Sequence, residues 1–202
     1  MSWQALSTRV ASFTAPPKPA GARPTRGQQK TSWPHPPSFR ANPATLAEAG
    51  FYYAPSSSDL DNVVCFMCAK ELSDWEAEDD PFQIHAVKCP KCPWVVVRCA
   101  LAQDLDDEGN YNFPTPDRLP NSRVLERARL ATYTKGKEKI WPHDGTKNHG
   151  AMSKKMAKAG FVYTPSSTPD DDTATCLYCN TSLSGWDAED DPLSVPPSPP
   201  IP

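Results

Sequence analysis

The chain contains itself twice. Trp33-Pro34-His35 recurs as Trp141-Pro142-His143, Ala49-Gly50-Phe51 as Ala159-Gly160-Phe161, and Cys65-x-x-Cys68 as Cys176-x-x-Cys179. The longest match sets Leu72-Ser73-Asp74-Trp75-Glu76-Ala77-Glu78-Asp79-Asp80-Pro81 against Leu183-Ser184-Gly185-Trp186-Asp187-Ala188-Glu189-Asp190-Asp191-Pro192. A period this long in 202 residues leaves room for two copies of one small module and excludes a large single domain. Proline supports the exclusion. The 24 prolines cannot sit inside long helices and central strands, so a large α/β enzyme is not expected.

Hydrophobic residues make up 38% of the chain, below the usual share of about 45–50%, which confines the ordered core to part of it. A net charge of −3 gives no global electrostatic case for nucleic acid, and sequence-specific binding to it is not expected. No apolar run approaches the roughly 18 residues of a membrane span, and Met1-Ser2-Trp3-Gln4 lacks the pattern of a secretory signal. A soluble intracellular protein is therefore expected, in which seven cysteines point to metal or free thiols and not to disulfides.

Within the first copy Asn42 is placed to cap a helix with Pro43 at its first position and Gly50 just past its end. Residues 51–53, 62–66 and 69–72 read as short strands, the last two hairpinned across the Cys-x-x-Cys turn. Asp80-Pro81 starts a second helix that carries His85, and Trp94 to Ala102 reads as a third. The expected fold is a small α+β module, a three-stranded antiparallel sheet with short helices, with too little apolar area to stand on packing alone. We divide the chain into a first module over 5–103, an acidic linker over 104–123, an incomplete second module over 124–192 and a Pro-rich disordered tail over 193–202. The first module carries a basic Pro-rich insertion over 14–32, with Lys18, Arg23, Arg26 and Lys30 and no acid, which reads as a flexible loop.

Cys65, Cys68, His85 and Cys92 follow C-x(2)-C-x(16)-H-x(6)-C. Three thiolates and one imidazole saturate tetrahedral zinc and leave no position for a reacting water, the donor set of a structural ion. Such an ion contributes on the order of 10–16 kcal/mol, enough to hold a small core. Spacing alone leaves Cys89, four residues after His85, as an alternative fourth ligand. Cys99, among Val95, Val96 and Val97, reads as a buried small hydrophobe. His35 and His143 recur at one place in each copy, which suggests packing or loop geometry and not ligation.

Arg9 to Phe13, Trp33-Pro34, Leu46 to Phe51, Cys65-x-x-Cys68, Leu72-x-x-Trp75, Asp79-Asp80-Pro81, His85 and Cys92-Pro93-Trp94 resemble the baculoviral inhibitor-of-apoptosis repeat, the BIR domain. The tandem arrangement and the basic insertion are similar to the fungal survivin-like proteins of the chromosomal passenger complex. The resemblance implies Cys92 as the fourth ligand and one structural zinc in the first copy. It also implies a non-catalytic reader that binds the histone-three amino-terminal tail phosphorylated on its third residue. Its partners would be an inner centromere protein, a borealin-like subunit and an Aurora kinase, and its place the nucleus, at chromosome, centromere and spindle, with the cytoplasm as a second location.

In that resemblance Glu78 and Asp79 receive the peptide ammonium, Leu72 and Trp75 wall the pocket for its first methyl, and residues 70–72 extend the sheet edge. Lys70 and Lys88 face the phosphate, Lys88 standing where survivin-like repeats have a histidine. The plain alternative is a solvated acidic turn that caps the helix after Pro81, with Trp75 only a core residue. Ile84 and Ser73 depart from the family, each replacing a usual carboxylate. The same groove in an inhibitor of apoptosis would take alanine-starting peptides of caspases or their antagonists. A ubiquitin ligase would need a second metal cluster, and no cysteine follows Cys179. The second copy keeps Cys176 and Cys179 but runs into proline where its histidine and last cysteine belong. It is expected to be loosely folded and without zinc as a monomer, with His143 or His149 as the residues able to complete a shell.

Overall fold

The structure, a computed structural model, describes residues 2–14, 32–166, 168 and 170–194. Nearly all of the basic insertion and of the Pro-rich tail lies outside the described residues. The chain folds as two α+β units of one design.

Each element of the first unit has a local cause. Helix α1 (Leu6–Ser12) is followed by α2 (Pro43–Glu48). The Asn42 side chain accepts from the amides of Ala44 and Thr45 at 3.0 and 3.2 Å, and the Thr45 hydroxyl accepts from the Asn42 amide at 3.0 Å, closing a capping box around a proline-started helix. Gly50 stops α2 in the left-handed region, φ +102°, where a Cβ would also lie 2.5 Å from Trp94 Cδ1. Glycine is required there twice over.

Strands β1 (Phe51–Tyr53), β2 (Val63–Cys65) and β3 (Glu71–Leu72) form an antiparallel sheet in sequence order, with Phe51 opposite Cys65 and Val63 opposite Leu72. Helix α3 (Pro81–Lys88) is capped by Asp80, whose carboxylate accepts from Phe82 and Gln83. The third expected helix opens at Pro93 and Trp94, is π-helical over Val95–Cys99 and continues as α4 (Ala100–Gln103). Leu46, Phe51, Val63, Trp75, Trp94 and Cys99 lie in the core they enclose.

The second unit repeats the plan with α5 (Arg123–Ala131), the hairpin β4 (Thr134–Lys135) and β5 (Glu138–Lys139), α6 (Ser153–Ala159), and the sheet β6 (Phe161–Tyr163), β7 (Ala174–Cys176) and β8 (Thr181–Leu183). Its register is equivalent: Phe161 opposes Cys176, and Ala174 opposes Leu183. Against the expectation of a loosely folded copy, Tyr133, Trp141, Met156, Phe161 and Trp186 make a buried cluster of its own. The two units also share apolar contact, because Leu125, Ala128 and Val162 belong to the same buried cluster as Val97 and the first core.

The connector is built and not slack. Arg118 donates from Nε to Asp104 at 3.1 Å and from Nη1 to the Val96 carbonyl at 2.8 Å, folding the connector onto the first unit. Tyr111 then donates to the carbonyls of Leu177 and Tyr178 in the second Cys-x-x-Cys turn.

Candidate metal centre and adjoining groove

The ligand atoms of Cys65, Cys68, His85 and Cys92 all lie within 4.8 Å of one another. Cys65 Sγ is 3.9 Å from Cys92 Sγ, and Cys68 Sγ is 3.7 Å from His85 Nε2. Metal–ligand bonds of about 2.3 Å for sulfur and 2.0–2.1 Å for nitrogen, at tetrahedral angles, require about 3.8 Å between sulfurs and about 3.6 Å from sulfur to nitrogen. The cluster has the size of a zinc shell.

Three elements deliver these ligands. The turn after β2 presents Cys65 and Cys68, with Ala69 held at φ +56° and the Cys65 amide bonded to the Lys70 carbonyl at 2.9 Å. Helix α3 presents His85, which is fully buried. Its Nδ1–H donates to the Ala49 carbonyl at 2.8 Å, which fixes the tautomer and leaves Nε2 as the lone pair for the ion. Cys92 sits just before the π-helical stretch and is buried.

The crowding has an electrostatic signature. Bonding to the thiols of Cys68 and then Cys92 pushes Cys65 far above its ordinary range, while the thiols of Cys65 and Cys92 hold Cys68 far below it. Thiolates this close repel one another, and a divalent cation is the kind of charge that offsets such repulsion. Cys89, half-buried at the end of α3, stands outside the four-atom cluster beside Cys68. Cys99 is buried against the Ala49 carbonyl at 3.6 Å, as a core thiol should be.

The expected groove residues come from the Cys-x-x-Cys turn, β3, the acidic turn after it and the end of α3. Among the described residues β3 pairs only with β2, so the outer edge of Glu71–Leu72 is open. Lys70 is exposed immediately before it. Lys88 is exposed at the end of α3, adjacent to Cys89, whose thiol feels the Lys70 charge. Beyond β3 comes the acidic turn: Glu78 is exposed, whereas Asp79 is half-buried with one carboxylate oxygen accepting from the Glu76 amide at 2.9 Å. Trp75 is 5% exposed and packed against Phe51 with the two rings at 70°, so its exposed remainder is a narrow strip beside the turn.

What positions that turn was not foreseen. Asp61, buried before β2, accepts from the amides of Asp74 at 3.0 Å and Trp75 at 2.9 Å, and from His35 Nε2 at 2.8 Å. Burial alone would raise its pKa, but the bonds to His35 and the two amides outweigh it and hold the carboxyl below its usual range. The second unit copies the device with Asp172, bonded to Gly185 N and Trp186 N at 2.7 Å each and to His143 at 2.9 Å. The repetition of His35 and His143 was the signal; their partners lie 26 and 29 residues away.

A second unforeseen group is Arg9, 1% exposed in α1. It donates to the carbonyls of Ala47, Trp3 and Gln4 at 2.7–2.9 Å and stacks over Phe66 at 4.5 Å, with burial lowering its pKa to about 10. Arg129 takes the equivalent bond to Ala157 at 2.7 Å. Comparing Arg9-Val-Ala-Ser-Phe13 with Arg129-Leu-Ala-Thr-Tyr133 would have revealed this first helix.

Cys176 and Cys179 do not gather a third ligand of this kind among the described residues. His143 is bonded to Asp172, and His149 Nδ1 accepts from the Ala151 amide at 3.1 Å. Leu183, Gly185, Trp186 and Asp190 help line a cavity of about 230 Å³ at the second acidic turn, but Thr181 stands where the first unit has Lys70.

Comparison with known proteins places this arrangement. The profile described as "BIR: Inhibitor of Apoptosis domain" matches residues 9–96 and 129–195. The chromosomal passenger complex protein bir1 of Schizosaccharomyces pombe is 36% identical over 171 residues, 82% of this chain and 15% of that protein. The death-associated inhibitor of apoptosis 2 of Drosophila melanogaster is 32% identical over 79% of this chain and 29% of its own length. The baculoviral IAP repeat-containing protein 5.2 of Xenopus tropicalis is 38% identical over 37% of this chain and 47% of its own. The chain thus spans less than half the length of each of these relatives.

Proposed function

The chain belongs to the BIR family, and from that premise we propose that it is a zinc-held, non-catalytic reader of peptide amino termini, serving as a scaffold of the chromosomal passenger type. The preferred ligand is the histone-three tail phosphorylated at its third residue. The relative named for the passenger complex, matched across 82% of this chain, supports the scaffold role. An inner centromere protein, a borealin-like subunit and an Aurora kinase are the corresponding partners, at chromosomes and centromeres in the nucleus.

One zinc in the first unit is part of the proposal. Cys65, Cys68, His85 and Cys92 would hold it, and its contribution is cohesion: four ligands from three elements leave no open position for catalysis.

The observation that carries the peptide reading is an open strand edge between two lysines and an acidic turn. An extended peptide adds to the edge of β3 through its backbone. Its ammonium meets Glu78 and the free oxygen of Asp79, and its first methyl meets Leu72 and the narrow exposed strip of Trp75. A phosphate near the third residue, with a charge of about −1.5 to −2, meets Lys70 and Lys88. Because both are lysines, the attraction persists across physiological pH, where a histidine would titrate.

The alternative, binding of alanine-starting peptides of caspases or their antagonists, is favoured by relatives named as inhibitors of apoptosis. Calorimetry with matched alanine-starting peptides separates the two. Tighter binding of the phosphothreonine form, lost in Lys70→Gln/Lys88→Gln, is expected; equal affinity for both forms refutes the phosphate reading and leaves the alternative.

A further inference from the structure

The net charge of −3 conceals a strong asymmetry. Residues 123–158 hold ten of the chain's 21 Lys and Arg and three of its 24 Asp and Glu. Of those ten, Arg129 is buried and the other nine are exposed. The exposed lysines come from two neighbouring places. Lys135, Lys137 and Lys139 lie on the β4–β5 hairpin, and Lys154, Lys155 and Lys158 lie on α6.

Asp144 joins the two places. Its carboxylate accepts from the Ser153 amide at 2.9 Å and from the Ser153 hydroxyl at 2.7 Å, at the start of α6, while Lys139 Nζ from the hairpin lies 4.0 Å from it. The hairpin base and the first turn of α6 therefore converge on one buried carboxylate. Lys147 is exposed on the intervening loop. Among the described residues, Lys135, Lys137, Lys147, Lys154, Lys155 and Lys158 form no ion pair.

We propose that this basic face of the second unit binds the phosphate backbone of double-stranded DNA without reading its sequence. Unpaired lysines on flexible stems suit a row of point charges, and release of condensed counterions drives such binding. The hairpin Thr134–Lys139 contains no apolar side chain to insert into a bilayer. Protein interfaces depend on aromatic or aliphatic anchors, and the exposed residues of this hairpin and of α6 are polar or glycine. DNA fits best. The site is distinct from the peptide groove of the first unit and does not depend on it.

The test is fluorescence anisotropy of the full chain with short labelled duplexes of different sequence between 50 and 200 mM salt. We expect equal affinities for all sequences and a steep salt dependence. Each lysine–phosphate contact contributes about 0.9 to the slope of log K against log salt, so Lys135→Gln/Lys137→Gln/Lys154→Gln/Lys155→Gln should flatten it by about 3.6. That equals about 150-fold less loss of affinity across this salt range. Zinc content and alanine-peptide binding should be unchanged in the variant, which separates failure here from failure of the peptide reading. Should the quadruple variant fold poorly, single Lys→Gln variants should each flatten the slope by about 0.9. The proposal is overturned if the chain does not bind duplex at 50 mM salt or if the variants keep the wild-type slope. Tighter binding to polyglutamate or phosphatidylserine vesicles than to DNA also overturns it, in favour of an acidic protein or a membrane.

Discussion

Replacing Asp61 by asparagine removes one charge and leaves the shape of the side chain almost unchanged. Asp61 is 8% exposed and uses its two oxygens to hold two amides and an imidazole, each at 3.0 Å or less. An asparagine offers one acceptor oxygen, and its NH2 must then face an N–H donor. Hydrogen bonds to a charged group are worth about 1.5–3 kcal/mol, and the variant loses or inverts at least one of three. We expect destabilisation of about 2–4 kcal/mol, read by urea denaturation of the zinc-loaded protein. The Asp74–Trp75 turn leads directly into Glu78 and Asp79, so peptide affinity should fall along with stability. Because the folded carboxyl is held below its usual value of about 3.9, its contribution is present above that pH and is lost as pH falls through the folded value. The acid limb of the stability curve should therefore flatten in Asp61→Asn. A loss below about 0.5 kcal/mol with an unchanged acid limb would show that the Asp61 charge does not hold the turn.

The two glycines that end α2 and α6 give a matched pair. Gly50→Ala and Gly160→Ala both incur the left-handed strain of about 1–2 kcal/mol at φ +102°, but Gly160 has nothing within 4 Å while Gly50 faces Trp94. Thermal melts should show Gly50→Ala worse by a further 1–3 kcal/mol or about that, and equal losses would show that Trp94 yields freely. Asp74 sits at φ +62° where the second unit has Gly185 at φ +73°, so Asp74→Gly should stabilise by about 0.5 kcal/mol in the same assay, and a loss of stability would count against strain there. Arg9→Leu strands the carbonyls of Ala47, Trp3 and Gln4, at about 1–3 kcal/mol for each that stays dry, measurable as a lowered urea midpoint; a near-neutral result would show that α1 does not depend on its buried cation. For the ligand assignment, metal analysis should find zinc lost from Cys92→Ser and kept by Cys89→Ser, and the reverse result would make Cys89 the fourth ligand.

Local chemistry made much of this legible in advance. Asn42-Pro43 with Gly50 marked α2, Asp80-Pro81 marked α3, and the spacing of Cys65, Cys68, His85 and Cys92 marked a cluster, because caps and turns act over a few residues and metal ligands are chemically distinctive. What was illegible is long-range. Asp61 is unremarkable in sequence, and its role appears only when His35 and the Asp74–Trp75 turn fold against it. Helix α1 has no side-chain cap and is tied down by Arg9 across 38 residues to Ala47. Trp75 lies among acids in sequence, yet the fold turns it inward onto Phe51. The second unit lacks the metal ligands of the first, and its buried cluster is built on Trp141 and Trp186, whose packing is a matter of contacts far apart in sequence.

In the proposed reading one zinc ion holds the first unit together. A chelator titration that follows zinc release and near-ultraviolet circular dichroism on the same sample asks whether ion and fold part company. One zinc per chain is expected, released together with a loss of tertiary signal. Zinc leaving without change in that signal would mean that the first unit stands without the ion, and a stoichiometry other than one would contradict a single site.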